Sequence, residues 1–224
     1  MKGNRGKKAG IMILGMVVAI IVFFYFLQTY WVHRKYHYKD GKVECVHLLG
    51  FLTMEERLVE ESYEIKDPQP GDILITLSTH SLGWRHGHAA LVIDENTTLE
   101  CVSLGTKSQL CPMTNWESYS NCALLRIKGI TQKEQEDVVE YALTYLTDVD
   151  YRMYAGIFDD RDELSDTPEY GLQCSFLVWY AWTYLSYDLD SDGGWLVTSH
   201  DLLHSEKVEV IFTYGLDENL EPIQ

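Results

Sequence analysis

Hydrophobic and polar positions divide the chain into three stretches. Residues 11–27 form an uninterrupted apolar run, IMILGMVVAIIVFFYFL, and with its flanks this run reaches the roughly 20 residues that a bilayer-spanning helix needs. It predicts one transmembrane helix over 9–31, preceded by a basic N-terminus at 1–8. Residues 32–67 are interpreted as a juxtamembrane stalk, with a short amphipathic helix opening at Thr53. The Pro and Gly residues that follow mark the start of one folded domain over 68–224.

Period-two hydrophobicity, which is typical of β-strands, marks the first half of that domain. It predicts strands over 72–77, 88–93, 98–103 and 123–127. The turn residues at 94–96 join the second and third strands as a hairpin. A helix then begins at Thr131, where Thr131 and Glu134 form a capping box. A second helix over 174–187 and a closing strand over 207–213 complete the pattern, which indicates an α+β fold with an antiparallel sheet packed on helices.

The charges that flank the apolar run bear on its orientation. Four basic residues precede it and four follow it, so the positive-inside rule alone does not decide. A short basic N-terminus before a first apolar helix favours a signal anchor, with the folded domain on the outer side. A cleaved signal peptide is the alternative, but the run is long for one and lacks a small-residue cleavage site. We therefore expect a single-pass membrane protein with an extracytoplasmic domain.

Charge also limits the partners of the folded domain. Residues 1–42 carry eight Lys or Arg against Asp40, a net charge of +7, and the whole chain carries −16, which leaves −23 on residues 43–224. A surface this acidic repels nucleic-acid phosphates and anionic lipid headgroups. We expect no nucleic-acid partner.

The five cysteines are an odd number, so at least one thiol is unpaired, and their spacing matches no zinc motif. Cys101 and Cys122 lie in apolar, strand-like surroundings and are predicted to be core residues. A disulfide among the first four cysteines stays open. Cys174 begins the apolar second helix, where the helix dipole and free backbone N–H groups lower the pKa of a thiol.

Six segments of the domain resemble one family: PGDILIT, GHAALVID, LEC, VDYRMY, CSFLVWYAW and LVTSHDLL. They are similar to the NlpC-type superfamily of papain-like cysteine hydrolases and lie within residues 70–213. In ordinary members the Cys helix precedes the Gly-Asp strand and the His strand. Here it follows them, which resembles the circularly permuted branch of the YiiX-like proteins and the lecithin retinol acyltransferase group. The resemblance implies a circularly permuted papain-like fold.

By position, the resemblance implies a catalytic site of Cys174 as nucleophile, His88 as general base and Glu100 as the residue that orients the imidazole. A base with a pKa near 6.5 suits proton transfer in both directions, and the predicted hairpin returns Glu100 to His88. A core cysteine and a solvent-facing glutamate are the alternatives, and Asp72 is a weaker orienting candidate. Phe176 departs from the pattern, because YiiX-like members often carry an acid there.

Two patterns suggest a metal site, and each lacks a ligand. His86 and His88 form a His-x-His pair with no third ligand at suitable spacing. Residues 188–193 resemble the start of an EF-hand, but Ser199 stands where a bidentate Glu is required. We expect no metal and no cofactor.

Aromatic residues that could line a substrate groove are Trp84, Trp116, Tyr151, Tyr154 and Tyr170.

These observations predict a membrane-anchored thiol hydrolase of the amidase or peptidase type, acting through an acyl-enzyme. The expected substrates are peptides or amides such as those of the cell wall. A lipid-linked acyltransferase or thioesterase of the lecithin retinol acyltransferase type is the first alternative, with a lipid substrate. A catalytically inactive binding module is the second. The membrane, through the N-terminal helix, is the other expected partner.

Overall fold

The computed structural model describes residues 15–20, 22, 37–39, 42–46, 53–58, 62–81, 85–103, 105–157, 161 and 164–223. Its strands are β1 (His37–Lys39), β2 (Lys42–Val46), β3 (Thr53–Leu58), β4 (Ile73–Thr76), β5 (Thr79–Ser81), β6 (His88–Asp94), β7 (Thr97–Glu100), β8 (Gln109–Pro112), β9 (Cys122–Ile127) and β10 (Val208–Tyr214). Its helices are α1 (Gln132–Tyr145), α2 (Cys174–Thr183) and α3 (Ser199–Leu203), with a 3-10 helix over Met113–Ser118.

Six of these strands form one antiparallel sheet in the order β10-β9-β4-β6-β7-β8. Strands β6 and β7 are the predicted hairpin, and their register places Leu91 opposite Leu99. Helix α2 packs against β6 at the centre of the sheet. The predicted α+β class, an antiparallel sheet packed on helices, is confirmed.

Each face of this sheet carries its own core. Successive strand residues point to opposite faces, so Ile73 and Leu91 pack with α1 and α2. Their neighbours Leu74 and Ala90 pack on the other side with the 3-10 helix. The central strands are therefore buried on both faces, which explains why β4 and β6 are almost continuously apolar.

Local signals fix the start of both long helices. The Thr131 side chain accepts from the backbone of Glu134, whose carboxylate returns to the Thr131 N–H, so the predicted capping box is present. At α2, the Gln173 side chain caps the helix by accepting from the Ser175 N–H. Residues 175–182 of α2 are buried. Burial of this apolar helix on the sheet, rather than its propensity, is the main source of its stability.

The region predicted as a stalk contains strands, and the amphipathic helix predicted at Thr53 is wrong. Residues Thr53–Leu58 form β3, which lies between β2 and β5 in a second antiparallel sheet of order β1-β2-β3-β5. Pairing on both sides supplies the backbone hydrogen bonds of this segment, which outweighs its weak local helical signal. The Glu56 N–H also donates to the Ser78 carbonyl at 3.1 Å, so β3 is joined to the domain.

The predicted membrane span lies largely outside the described residues. Residues 15–20 and 22 are helical. Across the described part of the chain, no helix is both long and apolar enough to cross a bilayer.

The cysteines are distributed as the sequence predicts for the core. Cys101 and Cys122 are buried. All four cysteines whose side chains the structure describes, Cys101, Cys111, Cys122 and Cys174, are free thiols.

Candidate active site

Cys174 is the first residue of α2, and the residue before it shapes its surroundings. The Gln173 side-chain oxygen accepts from the Ser175 N–H at 3.1 Å and lies 3.5 Å from the Cys174 sulfur. The Gln173 amide nitrogen donates to the Val197 carbonyl at 2.8 Å. Gln173 is therefore held from both ends, and Cys174 stays partly exposed at the end of a buried helix.

His88 begins β6, opposite Thr76 of β4, and is 5% exposed. The β6–β7 register places Glu100 on the same face of the sheet as His88. Its carboxylate lies 2.8 Å from His88 Nε2. Because an ionised carboxylate only accepts, Nε2–H is the donor to Glu100, which leaves Nδ1 as the ring nitrogen available for the hydrogen bond with Cys174 that raises the pKa of His88. Glu100 is itself 5% exposed, so it is not the solvent-facing strand glutamate of the alternative interpretation.

Two further donors hold Glu100. The Thr98 hydroxyl donates to its second carboxylate oxygen at 2.7 Å, and the Trp116 indole N–H donates to the same oxygen at 2.9 Å. The Trp116 ring also stacks on the His88 ring, with centroids 5.2 Å apart and planes 12° from parallel. Sequence reasoning missed both residues in this role. The sequence could have revealed the contact of Thr98, because Thr98 lies two residues before Glu100 on the same face of the strand. Trp116 comes from a separate 3-10 helix, and no local pattern indicates its contact.

The thiol and the imidazole shift each other's pKa toward the charged forms. Burial opposes the charge on His88, but the hydrogen bonds that its ring donates to Cys174 and Glu100, together with their negative charges, raise the pKa of His88 to about 10. Burial likewise opposes a thiolate, but the hydrogen bond and charge of His88 lower the pKa of Cys174, with help from the backbone N–H groups of Ala89 and Ser175. Both shifts favour a thiolate paired with an imidazolium, which is the reactive form of a cysteine nucleophile.

The structure therefore brings together Cys174, His88 and Glu100, and it places the other two candidates elsewhere. His86 is half-buried, and its Nδ1 lies 2.8 Å from the Gly87 carbonyl oxygen. Burial lowers the pKa of His86, and the nearby charge of His88 adds to this. The Asp72 carboxylate binds Arg126 at 2.8 and 2.7 Å and closes the turn before β4. It is a structural residue.

One group of carboxylates in the described residues has the spacing of a cation site. Oxygens of Asp190, Asp192 and Asp201 all lie within 4.8 Å of one another. Asp190 also binds Arg161 at 2.6 Å, and Asp201 caps α3 through Thr198. These contacts give two of the three acids a structural role.

The aromatic residues predicted to line a groove divide into separate groups. Trp116 is fully buried beneath His88 and lines no groove. Tyr151 is partly buried beside Leu172, with which it forms a β-bridge. Tyr154 and Tyr170 are exposed on the loop that leads to Cys174. Trp84 lies outside the described residues.

Comparison with known proteins gives a limited result. No family model matches the chain, and no curated protein matches it. Among solved structures, the chain is similar to the crystal structure of metalloprotein YiiX from Escherichia coli O157:H7. The TM-score is 0.48 and the sequence identity 13%, over 65% of this chain and 97% of that chain. A likeness of this degree assigns no activity to the present chain.

Proposed function

We propose that this protein is a thiol hydrolase with a circularly permuted papain-like fold, and that it cleaves acyl bonds through Cys174, His88 and Glu100. The observation that carries the proposal is a connected set of hydrogen bonds. Trp116 and Thr98 hold Glu100, Glu100 holds His88, and His88 pairs with the Cys174 thiol at a helix N-terminus. A buried carboxylate and imidazole are costly unless paired. Their alignment on a partly exposed thiol is the arrangement that nucleophilic catalysis needs.

The reaction would proceed in two balanced steps. The Cys174 thiolate attacks the substrate carbonyl carbon, the S–C bond forms, and the tetrahedral intermediate expels the leaving amine or alcohol, which takes the proton from His88. Water then attacks the thioester while His88 accepts its proton. The C–S bond breaks, the acid is released, and the thiolate and imidazolium are restored. Glu100 keeps the imidazole in one orientation throughout.

Peptides or amides are the first substrate class, and cell-wall peptides the expected source if the N-terminal segment anchors the chain. The test incubates the full-length protein with soluble cell-wall peptide fragments and follows new amino groups and new carboxylates by mass spectrometry. The matched control is Cys174→Ser. Cleavage that is lost in Cys174→Ser is the expected result. Equal cleavage by both proteins would refute a thiol mechanism.

One observation favours the lipid-linked acyltransferase as a second candidate. Large apolar side chains are exposed on the loops that run beside Gln173, although the domain is otherwise acidic; these are Met153, Tyr154, Ile157, Tyr170 and Trp195. The loop that carries Met153, Tyr154 and Ile157 is fixed where the Arg152 N–H donates to the Leu172 carbonyl at 2.7 Å. The loop that carries Trp195 is fixed where the Val197 carbonyl accepts from the Gln173 side chain. Large apolar side chains that stay exposed beside a candidate site are typical of a surface that binds an apolar ligand.

The acyl-enzyme itself separates the two candidates. The protein is incubated with phosphatidylcholine micelles or with cell-wall peptides, quenched in acid, and the peptide that carries Cys174 is weighed. A fatty-acyl mass on Cys174 would support the acyltransferase, and a peptidyl mass the amidase. If Cys174 carries neither adduct and is alkylated no faster than free cysteine, the chain is a binding module instead.

A further inference from the structure

The 3-10 helix that carries Trp116 needs support from outside itself. It has six residues, Met113–Ser118, and its N-terminal residue Pro112 provides no side-chain cap. Runs of this geometry beyond three or four residues are uncommon, because their hydrogen bonds are poorly aligned. Yet Trp116 has to be held accurately, since its indole N–H reaches Glu100 and its ring packs on His88.

Arg57 of β3 supplies much of that support. Its Nη1 donates to the Asn115 carbonyl at 2.5 Å and to the Ser118 hydroxyl at 3.0 Å, the residues on either side of Trp116 and Glu117. Its Nε and Nη2 donate to the Glu55 carboxylate at 3.1 and 2.9 Å. The guanidinium carbon also lies 3.4 Å from the centroid of the Tyr119 ring. One guanidinium thus joins β3 to the Trp116 segment, Asn115–Ser118, on both sides of Trp116.

Tyr63 adds a second attachment from the same N-terminal part of the chain. Its hydroxyl donates to the Trp116 carbonyl at 2.8 Å, and its backbone N–H donates to the Glu117 carbonyl at 3.2 Å. The Tyr63 ring is itself fixed by stacking on Tyr214, with centroids 4.0 Å apart. The Trp116 carbonyl also accepts from the Tyr119 N–H at 3.2 Å, so Tyr63 adds a second donor to this carbonyl and a backbone donor to that of Glu117.

We propose that Arg57 is a positioning residue that holds the Met113–Ser118 helix, keeps Trp116 against Glu100 and His88, and so sets the reactivity of the Cys174 thiol. This inference rests on the function proposed above. Arg57 touches neither the thiol nor the imidazole, and it acts through Trp116. Its planar guanidinium makes bonds in two directions and stacks at the same time, which a lysine ammonium does not reproduce.

The test is the pH profile of Cys174 alkylation by iodoacetamide in the full-length protein, read by mass spectrometry on the peptide that contains Cys174. We expect Arg57→Ala to move the rise of this profile to higher pH and to slow alkylation at pH 7 by up to about tenfold, the low end of the value of one hydrogen bond to a charged group, because Arg57 acts on Glu100 only through Trp116. Arg57→Lys should restore part of the loss. Tyr63→Phe should give a smaller shift in the same direction.

Arg126→Ala is the matched control. The Arg126 side chain is 15% exposed against 21% for Arg57, and it binds Asp72 rather than the Trp116 segment. It should lower the midpoint of thermal unfolding and leave the alkylation profile unchanged. If Arg57→Ala does not fold, Arg57→Lys and Tyr63→Phe decide the question at a temperature where both are folded.

The outcomes separate this inference from the proposed function. A wild-type profile like that of free cysteine would refute the proposed function itself. A wild-type profile at low pH that Arg57→Ala, Arg57→Lys and Tyr63→Phe leave unchanged would overturn only the role of Arg57. Equal shifts in Arg57→Ala and Arg126→Ala would also overturn it, since the effect would then be general destabilisation.

Discussion

Trp116 and His88 lie face to face, with ring centroids 5.2 Å apart and planes within 12° of parallel. The same indole donates its N–H to Glu100, which in turn accepts from His88. One buried side chain therefore contacts both the imidazole and the carboxylate that orients it. Each contact limits the rotation of a group whose direction decides whether the other ring nitrogen faces the thiol.

Glu100→Gln tests the carboxylate. The amide keeps the size of the side chain but loses the negative charge that helps to raise the pKa of His88. With a weaker imidazolium, the pKa of Cys174 should rise. We expect alkylation of Cys174 at pH 7 to slow by roughly 10- to 100-fold, the value of a charge-assisted hydrogen bond.

Asp72→Asn is the control for that experiment, because Asp72 is also a buried carboxylate but binds Arg126. It should lower the thermal midpoint and leave the alkylation rate of the folded protein unchanged. A similar slowing in Asp72→Asn would show that the Glu100 effect has nothing to do with His88.

The pH dependence of the wild-type thiol is a separate prediction. Because His88 lowers the pKa of Cys174, the alkylation rate of the Cys174 peptide should reach its plateau at a lower pH than that of a free cysteine. It should fall only as the pH drops through the lowered thiol pKa. A free cysteine, by contrast, loses thiolate below a pKa of about 8.5. Stopped-flow or quenched alkylation between pH 4 and 9 measures the curve, and a midpoint near that of free cysteine would contradict the charged pair.

The two neighbouring histidines should behave differently. His88→Ala removes the cationic partner of the thiolate, so alkylation of Cys174 at pH 7 should slow about tenfold or more, and hydrolysis should be lost. His86→Ala should leave both largely intact, because the His86 ring bonds to the Gly87 carbonyl. Equal loss in both variants, restored by added zinc, would instead indicate a metal site.

Much of the fold could be predicted because its signals are local. The hairpin of β6 and β7 follows from alternating residues around a turn, and the start of α1 follows from the Thr131 and Glu134 capping box. The resemblance of short segments to a family added the pairing of His88 with Cys174, which are 86 positions apart. Periodicity alone carries no information about a contact over that distance.

The sequence-based predictions fail where tertiary contacts, rather than local sequence, determine the structure. Residues 53–58 have a weak helical pattern, but two neighbouring strands pair with them and Arg57 bonds across to the Trp116 segment. Strand β8 and the 3-10 helix after it have little hydrophobic periodicity of their own. From the sequence, Trp116 is one of several aromatic residues expected to line a groove. Only the position of its helix beneath β6 reveals its contacts with Glu100 and His88.

Gly87 offers a test of how the backbone sets the position of His88, the next residue. Its φ is +71°, and a Cβ added there would lie 2.7 Å from the Thr76 carbonyl oxygen and 2.9 Å from Ser199 Cβ. Gly129 has the same φ of +71°, but an added Cβ meets no heavy atom within 4 Å. A substitution at either glycine therefore carries the same backbone strain, but only the substitution at Gly87 also brings a Cβ into collision with neighbouring atoms.

We expect Gly129→Ala to cost about 1–2 kcal/mol of unfolding free energy, the penalty of a left-handed conformation, with no change in Cys174 alkylation. Gly87→Ala should cost roughly 3 kcal/mol or more, because Thr76 is held in β4 and Ser199 is fully buried, so neither atom yields easily. It should also slow alkylation of Cys174, since the strand start that carries His88 has to move. Denaturant unfolding and alkylation at pH 7 measure the two effects. Equal costs for the two variants, with unchanged alkylation in both, would show that the collision relaxes without displacing His88.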